Sequence, residues 1–429
     1  MTAQPSLSEG GSTSPVIVRA RRVEGAPVVA VRVGVAGGAR LEEIPGQALI
    51  SGRLLSEGTH KRDWRRLAED AEDRGMIFSS SGSFEGLGVS VDALAVDWKR
   101  GLHWAAEAVL ESTFPADRCS WLCRQAAAEL ESLADQPEMR CVSRFLEQLY
   151  SPHPLARRIQ GDATSLARLS SQDCRSFHQR SVNSGLAVVV TGPVDEEEMV
   201  REAERAFAGL VTGQARLPEQ PERPSRGTSS RCRVEVPAGE QAHLLLGHLT
   251  VDRSHPDVAA LEVLAVILGA GSGLGGRIPA RIREKEGLAY SAQVHTFSGA
   301  GLDPGRFVVY LGTSPTTLKQ AERGVREEID KLLDKGVSDQ EVEEARSYLL
   351  GREPFRRETA RQWADLLLEA QFYGLPLDDL DWRIGRLLAV DVAAVNRAAR
   401  QHLDPNRYQI TEGMPKQSSA GRSAAASSE

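Results

Sequence analysis

The order of predicted elements repeats along the chain, and this repeat constrains the fold more than any other feature. Each half opens with strand-forming runs, continues with two helices, a strand pair and a further helix, and ends in a long helical region. The two copies are offset by about 210 residues. Hairpin strands mixed with helical pairs differ from the strict alternation that produces a parallel sheet. We therefore predict an α+β fold of two duplicated domains, each a mostly antiparallel sheet packed with helices.

The domain boundaries follow from composition. The 429 residues are enough for two cores of ordinary size. A stretch rich in Pro, Gly, Ser and Arg divides the chain near its midpoint, and both ends are small and polar. We predict a disordered N-terminus, a first domain, a linker, a second domain and a disordered tail at residues 1–15, 16–210, 211–231, 232–413 and 414–429, respectively.

Composition and charge exclude several classes of function. The hydrophobic fraction of 41% and the charged fraction of 26% are ordinary for a globular protein. The net charge is -7 and no basic stripe occurs, so we expect no nucleic-acid partner. We find neither an apolar run of membrane-spanning length nor a signal-peptide pattern. The five cysteines form an odd set that fits reduced thiols. We therefore expect a soluble, cytoplasmic protein without membrane contact.

Potential metal ligands are scattered through the sequence. Cys119 and Cys123 are spaced i,i+4 on a predicted helix, but no second pair accompanies them, which favours two ordinary helix cysteines. His243 and His248 are five residues apart in a predicted strand, so they should lie on opposite faces. We assign ordinary surface or packing roles to the remaining histidines, which are His60, His103, His153, His178, His255, His295 and His402.

Two sequence patterns point to chemistry that we exclude. The run from Gly271 to Gly276 fits the dinucleotide-binding pattern G-x-G-x-x-G, but it follows a predicted helix, and no acidic residue stands about 20 positions later. The serine-nucleophile pattern G-x-S-x-G does not occur. Neither a dinucleotide site nor a serine hydrolase is therefore supported.

The segment LGAGSGLGGRIPARIREKEGLAYSAQVHTF closely resembles the stretch with which pitrilysin/insulinase-family peptidases present an Arg and a Tyr to their substrate. Arg277 and Tyr290 occupy these two positions, 13 residues apart as in the family pattern. The alternative is a surface Arg on a helix and a Tyr packed in a core. The resemblance also implies a flexible loop beside the substrate chamber, formed by Gly271, Gly273, Gly275 and Gly276.

The segment GGARLEEIPGQALISGRLLSEGTHKRDW resembles the family helix that bears the inverted zinc motif His-x-x-Glu-His. In that motif two imidazoles bind zinc, and the carboxylate acts as general base. Here these positions hold Leu49, Gly52 and Arg53, none of which can replace the lost groups. Glu129, 76 residues after Arg53, matches the family's third ligand. We expect it to pair with Arg53 or to be solvated, and the sequence leaves open whether restoring the three residues would restore metal binding.

The resemblance covers roughly residues 16–413 and is to the two-domain, mitochondrial-processing-peptidase-like branch, in which each chain forms one half of a clam-shell peptidase. It implies a non-catalytic subunit, inactive alone, with no metal or cofactor of its own. Its partner would be a zinc-bearing homologue in a heterodimer, and Arg277 and Tyr290 would bind the peptide substrate. Two alternatives remain open, a structural core-type subunit and a peptide-enclosing binding protein without a proteolytic role.

Overall fold

The structure, a computed structural model, describes residues 16–210, 219–225, 227–237, 239–271, 275–377 and 381–416. The predicted disordered N-terminus lies outside the described residues, as do most of the predicted tail and part of the predicted linker.

The first sheet contains five strands in the order β1-β5-β2-β4-β3. These strands are β1 (Val16–Arg22), β2 (Val28–Ala36), β3 (Ile77–Gly82), β4 (Gly86–Leu94) and β5 (Leu186–Gly192). Strands β1 and β5 pair in parallel, and the other pairs are antiparallel. The valine-rich runs of β2 and β5 are buried on both faces, which explains why they read as continuous hydrophobic segments. Strand β3 forms one edge of the sheet.

The second sheet repeats this topology in the order β6-β10-β7-β9-β8. Its strands are β6 (Ser230–Val236), β7 (Ala242–Leu249), β8 (Ala289–Ser298), β9 (Arg306–Thr313) and β10 (Gln409–Pro415). Again one pair, β6 with β10, is parallel and the rest are antiparallel. The matching order confirms the predicted duplication and the mostly antiparallel α+β fold.

The helices also follow the predicted order. Their bounds are α1 (Gln47–Leu54), α2 (Trp64–Glu72), α3 (Trp98–Leu110), α4 (Ala116–Ala134), α5 (Pro137–Tyr150), α6 (Ala163–Arg168), α7 (Ser171–Asn183), α8 (Glu196–Ala206), α9 (Val258–Ala265), α10 (Arg277–Pro279), α11 (Leu318–Lys335), α12 (Asp339–Arg352), α13 (Ala360–Tyr373), α14 (Trp382–Leu388) and α15 (Val392–His402). Wider, π-type turns continue α9 and α10. Helix α1 of the first half and helix α9 of the second half occupy equivalent places in the repeat.

Ordered backbone extends slightly beyond two of the predicted boundaries. The first two residues of β6 lie in the predicted linker, and the last two residues of β10 lie in the predicted tail. The reason is that β6 and β10 pair with each other along their full lengths, so their outer residues are held by ladder hydrogen bonds.

The described residues form two compact units, and each unit draws on both halves of the sequence. Helix α5, from the first half, packs on the second sheet through residues such as Phe145. Helix α13, from the second half, packs on the first sheet through residues such as Leu367. Each predicted domain, 16–210 and 232–413, therefore keeps its own sheet and contributes one helix to the compact unit of the other.

Candidate functional site

Helix α1 carries the three positions of the degenerate zinc motif. The side chain of Leu49 is buried and offers no lone pair, and Gly52 has no side chain. Arg53 reaches Glu129 on α4, where its Nη1 lies 3.0 Å from Oε1 and its Nη2 lies 3.1 Å from Oε2. Of the two outcomes expected for Glu129, pairing with Arg53 or solvation, the structure shows the pairing. These residues do not fit a zinc ion, because one carboxylate already bound by a permanent cation cannot form a four-coordinate site.

Helix α1 and strand β3 meet backbone to backbone at two glycines. A Cβ at Gly52 would lie 2.2 Å from the carbonyl carbon of Ser81, and a Cβ at Gly82 would lie 2.2 Å from the carbonyl oxygen of Ala48. No real side chain tolerates such distances to backbone atoms. The position at which the resemblance places the general base is therefore closed by β3. The sequence indicated the loss of this carboxylate but gave no signal for the contact that replaces it.

Glu42 holds the N-terminus of α1. Its Oε1 accepts a hydrogen bond from the backbone N–H of Gly46, and its Oε2 accepts one from that of Ala48, both at 3.1 Å. Burial raises the pKa of Glu42 from its ordinary 4.5 to about 7, although the two amides and the charge of Arg157 act in the opposite direction. The carboxylate at the start of the degenerate helix is thus half-protonated near neutral pH.

We expect Glu42 to make the stability of the fold depend on pH between about 4.5 and 7. Because the folded chain holds this proton more tightly than the unfolded chain, the stabilisation is complete below pH 4.5 and is lost as the pH rises through 7. In Glu42→Gln this contribution should vanish. The difference in unfolding free energy between wild type and variant should therefore change by about 1–3 kcal/mol between pH 4.5 and 8, allowing for partial solvent access.

Urea denaturation at several pH values measures this difference. The glutamine keeps only one carbonyl acceptor for two amides, so the variant is expected to lose a roughly constant amount of stability at every pH. The test therefore depends on how the difference in unfolding free energy between wild type and Glu42→Gln changes with pH. Glu72→Gln, at an exposed carboxylate near the end of α2, serves as the matched control. Parallel pH profiles for wild type and Glu42→Gln would contradict the assignment.

Arg277 lies at the start of α10 and is held by α12. Its Nε and Nη2 lie 2.7 and 2.8 Å from the two carboxylate oxygens of Glu341, and Nη2 also donates to the carbonyl of Gly336 at 3.0 Å. The Arg277 guanidinium holds the pKa of Glu341 at about 2. Glu341 also accepts hydrogen bonds from Ser338 at the start of α12. Two of the three guanidinium nitrogens therefore link the start of α10 to α12 and the residues before it. No described residue accepts a hydrogen bond from Nη1.

Tyr290, in contrast to Arg277, lies in a strand and is exposed. It lies near the start of β8, where the pairing with β9 shifts between Ala289 and Ser291, so Tyr290 is the additional residue of a bulge. Bulges change the direction in which a side chain points. The residue is 82% exposed, although large aromatic side chains are usually buried at least in part. This exposure is incompatible with the alternative of a core tyrosine.

The predicted glycine-rich loop is only partly described, since Gly273 lies outside the described residues. Gly276 has a φ of +97°, and a Cβ there would lie 2.4 Å from the Cα of Gly269. Neither Gly271 nor Gly275 is crowded in this way. Gly276 is thus required by the close packing of the segments that end α9 and begin α10. A role of these glycines in approaching a peptide stays a prediction.

The structure confirms that His243 and His248 lie on opposite faces of β7. Nδ1 of His243 is 3.0 Å from the hydroxyl of Tyr310, whereas the ring of His248 stacks on Tyr408. Two other histidines, His255 and His402, are brought together with Asp257, which the sequence analysis missed. Residues 255 and 257 are close in sequence, but nothing in the sequence connects them with position 402.

The fold and the altered helix define a class of protein: a duplicated two-sheet metallopeptidase scaffold whose zinc motif is absent. The comparisons with known families agree with this class. Residues 18–163 match the family described as "Insulinase (Peptidase family M16)", and residues 168–349 match "Peptidase M16 inactive domain". The chain belongs to the M16, or insulinase, peptidase family.

Relatives and a solved structure extend over much of the chain. An uncharacterized zinc protease of Streptomyces coelicolor is 28% identical over 284 residues, which are 64% of this chain and 61% of that relative. The non-peptidase homolog YmxG of Helicobacter pylori is 24% identical over 84% of this chain and 82% of its own length. A crystal structure of a peptidase M16 inactive domain from Pseudomonas fluorescens, 26% identical, has a TM-score of 0.86 and covers 95% of this chain and 97% of that one.

Across the part of the chain that the structure describes, no helix combines the length and the apolar character needed to cross a lipid bilayer.

Proposed function

We propose that the chain is the non-catalytic, substrate-binding subunit of a heterodimeric zinc metallopeptidase, and that a zinc-bearing homologue is its partner. The ion pair of Arg53 with Glu129 carries this proposal, because it places a cation on the carboxylate that would otherwise be a zinc ligand. Contact of α1 with β3 through Gly52 supports the same reading, since it leaves no room for a general base. The chemistry of peptide hydrolysis would accordingly belong to the partner.

The second half of the chain would supply the groups that hold the peptide. The exposed phenol of Tyr290 is available to donate a hydrogen bond to a substrate carbonyl or to the oxyanion that develops there. Arg277 would contribute through Nη1, the guanidinium nitrogen that Glu341 does not engage. All five cysteines are unpaired, which agrees with a cytoplasmic location for the complex.

One observation favours the second candidate, a structural subunit or a peptide-enclosing binder without proteolytic function. The bidentate contact of Arg277 with Glu341 is already a complete structural role for that side chain. A chain that had kept only the scaffold would need nothing more from Arg277. The exposure of Tyr290 has no such structural explanation, and it is the reason that we rank the substrate-binding role first.

Co-expression with each homologue from the same genome that retains an intact His-x-x-Glu-His motif tests the proposal. We expect one of these pairs to elute from a size-exclusion column as a 1:1 complex of about twice the 46.6 kDa of this chain, because two chamber walls that cover each other bury a large surface. The pair should cleave unstructured peptides in a reaction that a zinc chelator stops. This chain alone should not cleave these peptides, either with or without added zinc.

The same experiment separates the alternatives. Chelator-sensitive cleavage by this chain alone would contradict a non-catalytic role. A stable complex that cleaves no faster than the partner alone would favour the structural subunit. Failure to associate with every such homologue, together with tight binding of extended peptides by the isolated chain, would favour the peptide-enclosing binder.

A further inference from the structure

Three side chains of the second unit converge between two helices. His255 and Asp257 immediately precede α9, and His402 is the last residue of α15. One potential ligand atom from each lies within 4.8 Å of those from the other two. Nε2 of His402 is 2.8 Å from Oδ2 of Asp257, and Nδ1 of His255 is 4.0 Å from the same oxygen. The two imidazole rings meet edge to face, with their centres 5.1 Å apart.

The carboxylate of Asp257 is directed to the imidazoles and not to its own helix. Asp257 is the N-cap residue of α9, a position at which aspartate usually accepts a hydrogen bond from a backbone amide of the first turn. Here its side chain makes no such bond. With φ -83° and ψ 2° its backbone lacks the extended conformation of a capping residue, and the carboxylate contacts His402 instead.

His255 presents the form of imidazole that a metal requires. Its Nδ1 accepts the backbone N–H of Asp257 at 3.1 Å, so this nitrogen carries a lone pair and no proton. An ion would take that lone pair in place of the amide. Arg386 donates to the carbonyl oxygens of His255 and Pro256 and thereby holds the turn in place.

We propose that His255, Asp257 and His402 form a binding site for a divalent transition-metal ion, with zinc as the best match. Two imidazoles and one carboxylate are a ligand set typical of zinc sites in which water completes the tetrahedron. This site is separate from the degenerate motif on α1, and it departs from the expectation that this chain has no metal of its own. It does not rest on the proposed function.

The geometry needs only a small adjustment to accept the ion. Ligand atoms about 2.1 Å from a common tetrahedral zinc are roughly 3.4 Å apart. His402 and Asp257 are slightly closer than this, and His255 must approach by about 1 Å. The side chain of His255 is 30% exposed, which permits this movement, and that of His402 is only 4% exposed and fixed by packing. The ion would tie the start of α9 to the end of α15.

A metal-free ion pair is the competing explanation of the cluster. Protonated His402 and ionised Asp257 would attract each other at 2.8 Å without any ion. That explanation requires only two of the three residues, and it limits His255 to the backbone N–H of Asp257 and the edge of the His402 ring. It also places Arg397, whose Nη2 is 3.9 Å from Oδ1 of Asp257, on the same carboxylate. The contribution of His255 therefore distinguishes the two explanations.

The test is calorimetric titration of the full chain, purified without a histidine tag and stripped with a chelator, with zinc chloride. We expect one ion to bind per chain, and His255→Gln to weaken binding at least about tenfold, as loss of a ligand demands. Because His255 is partly exposed, this variant should fold normally, which circular dichroism will verify. Cobalt added in place of zinc should produce the visible absorption of a tetrahedral site, and this absorption should disappear in His255→Gln.

His103→Gln is the matched control, because His103 also contacts a carboxylate, Glu202, at 2.7 Å but lies in the other unit, and no second imidazole among the described residues joins this pair. It should bind zinc as wild type does. Absence of zinc binding by wild type, or equal affinity of wild type and His255→Gln, would overturn the proposal. The titration measures metal binding and not peptide cleavage, so neither result bears on the proposed subunit role.

Discussion

Replacing Gly52 with glutamate is expected to destabilise the first unit strongly and to restore no catalytic base. The Cβ of any side chain at this position would lie 2.2–2.4 Å from backbone atoms of Ser81 and Gly82. These atoms belong to β3, whose pairing with β4 prevents a local retreat. Overpacking against backbone exceeds the usual 1–3 kcal/mol of a core misfit, so we expect a loss of at least about 3 kcal/mol in unfolding free energy.

Chemical denaturation of Gly52→Glu and of Gly52→Ala measures this loss. The alanine variant isolates the Cβ clash from the cost of burying a carboxylate, and it should already account for most of the effect. Gly351→Glu on α12 is the matched control, because no described atom other than those of its chain neighbours and its own helix backbone lies within 4 Å of the position that its Cβ would take. That change should be neutral or slightly stabilising, since glycine is a poor helix former. A Gly52→Ala variant as stable as wild type would show that the backbones of α1 and β3 are not in contact at this position.

The same contact opposes restoration of the general base when the zinc motif is rebuilt. The triple change Leu49→His, Gly52→Glu and Arg53→His restores the ligand types beside Glu129, but the central glutamate has no space while β3 stays in place. The site on α1 therefore differs from the zinc motif in its shape as well as in its ligands.

Features that depend on local pattern were predicted correctly from the sequence. Strand and helix positions follow from hydrophobic periodicity, and the duplicated order of these elements fixes the common topology of the two sheets. The family spacing brought Arg53 and Glu129 into consideration as a pair, since both stand at positions of ligands that converge on one ion, but it did not separate pairing from a solvated glutamate.

Features that depend on packing between distant segments were not predictable. Amphipathic periodicity shows that α5 and α13 each bury one face, but it does not identify the sheet that each covers. Similarly, the motif that contains Arg277 gives no indication of Glu341, which lies 64 residues later. The close approach of α1 to β3 is marked in the sequence only by Gly52 and Gly82. Because glycine occurs for many other reasons, these two residues do not predict the contact.

Removing the hydroxyl of Tyr290 is expected to lower kcat of the assembled peptidase by about 10²–10³, or roughly 3–4 kcal/mol, because a preorganised donor to a developing oxyanion contributes about this much. The effect should fall on kcat more than on KM if the donor binds charge that develops only during attack on the carbonyl. Since Tyr290 is 82% exposed, Tyr290→Phe leaves the core untouched. Steady-state cleavage by the complex is the measurement, with assembly verified for each variant. Tyr348→Phe removes a hydroxyl from the same unit and is the control.

Arg277 requires a different design, because its contact with Glu341 makes every substitution a structural change as well. Arg277→Lys keeps the charge but cannot form the bidentate contact, and Glu341→Gln weakens the same contact while it leaves the guanidinium intact. Both variants should lose stability to a similar extent. If Arg277 also binds the peptide, only Arg277→Lys will lose activity beyond that shared effect, and Glu341→Gln will retain or increase it, because its guanidinium is freer to reach a carbonyl. Equal activity in these two variants, together with unchanged kcat and KM in Tyr290→Phe, would assign both family positions to the scaffold alone and leave enclosure of the substrate as the contribution of this chain.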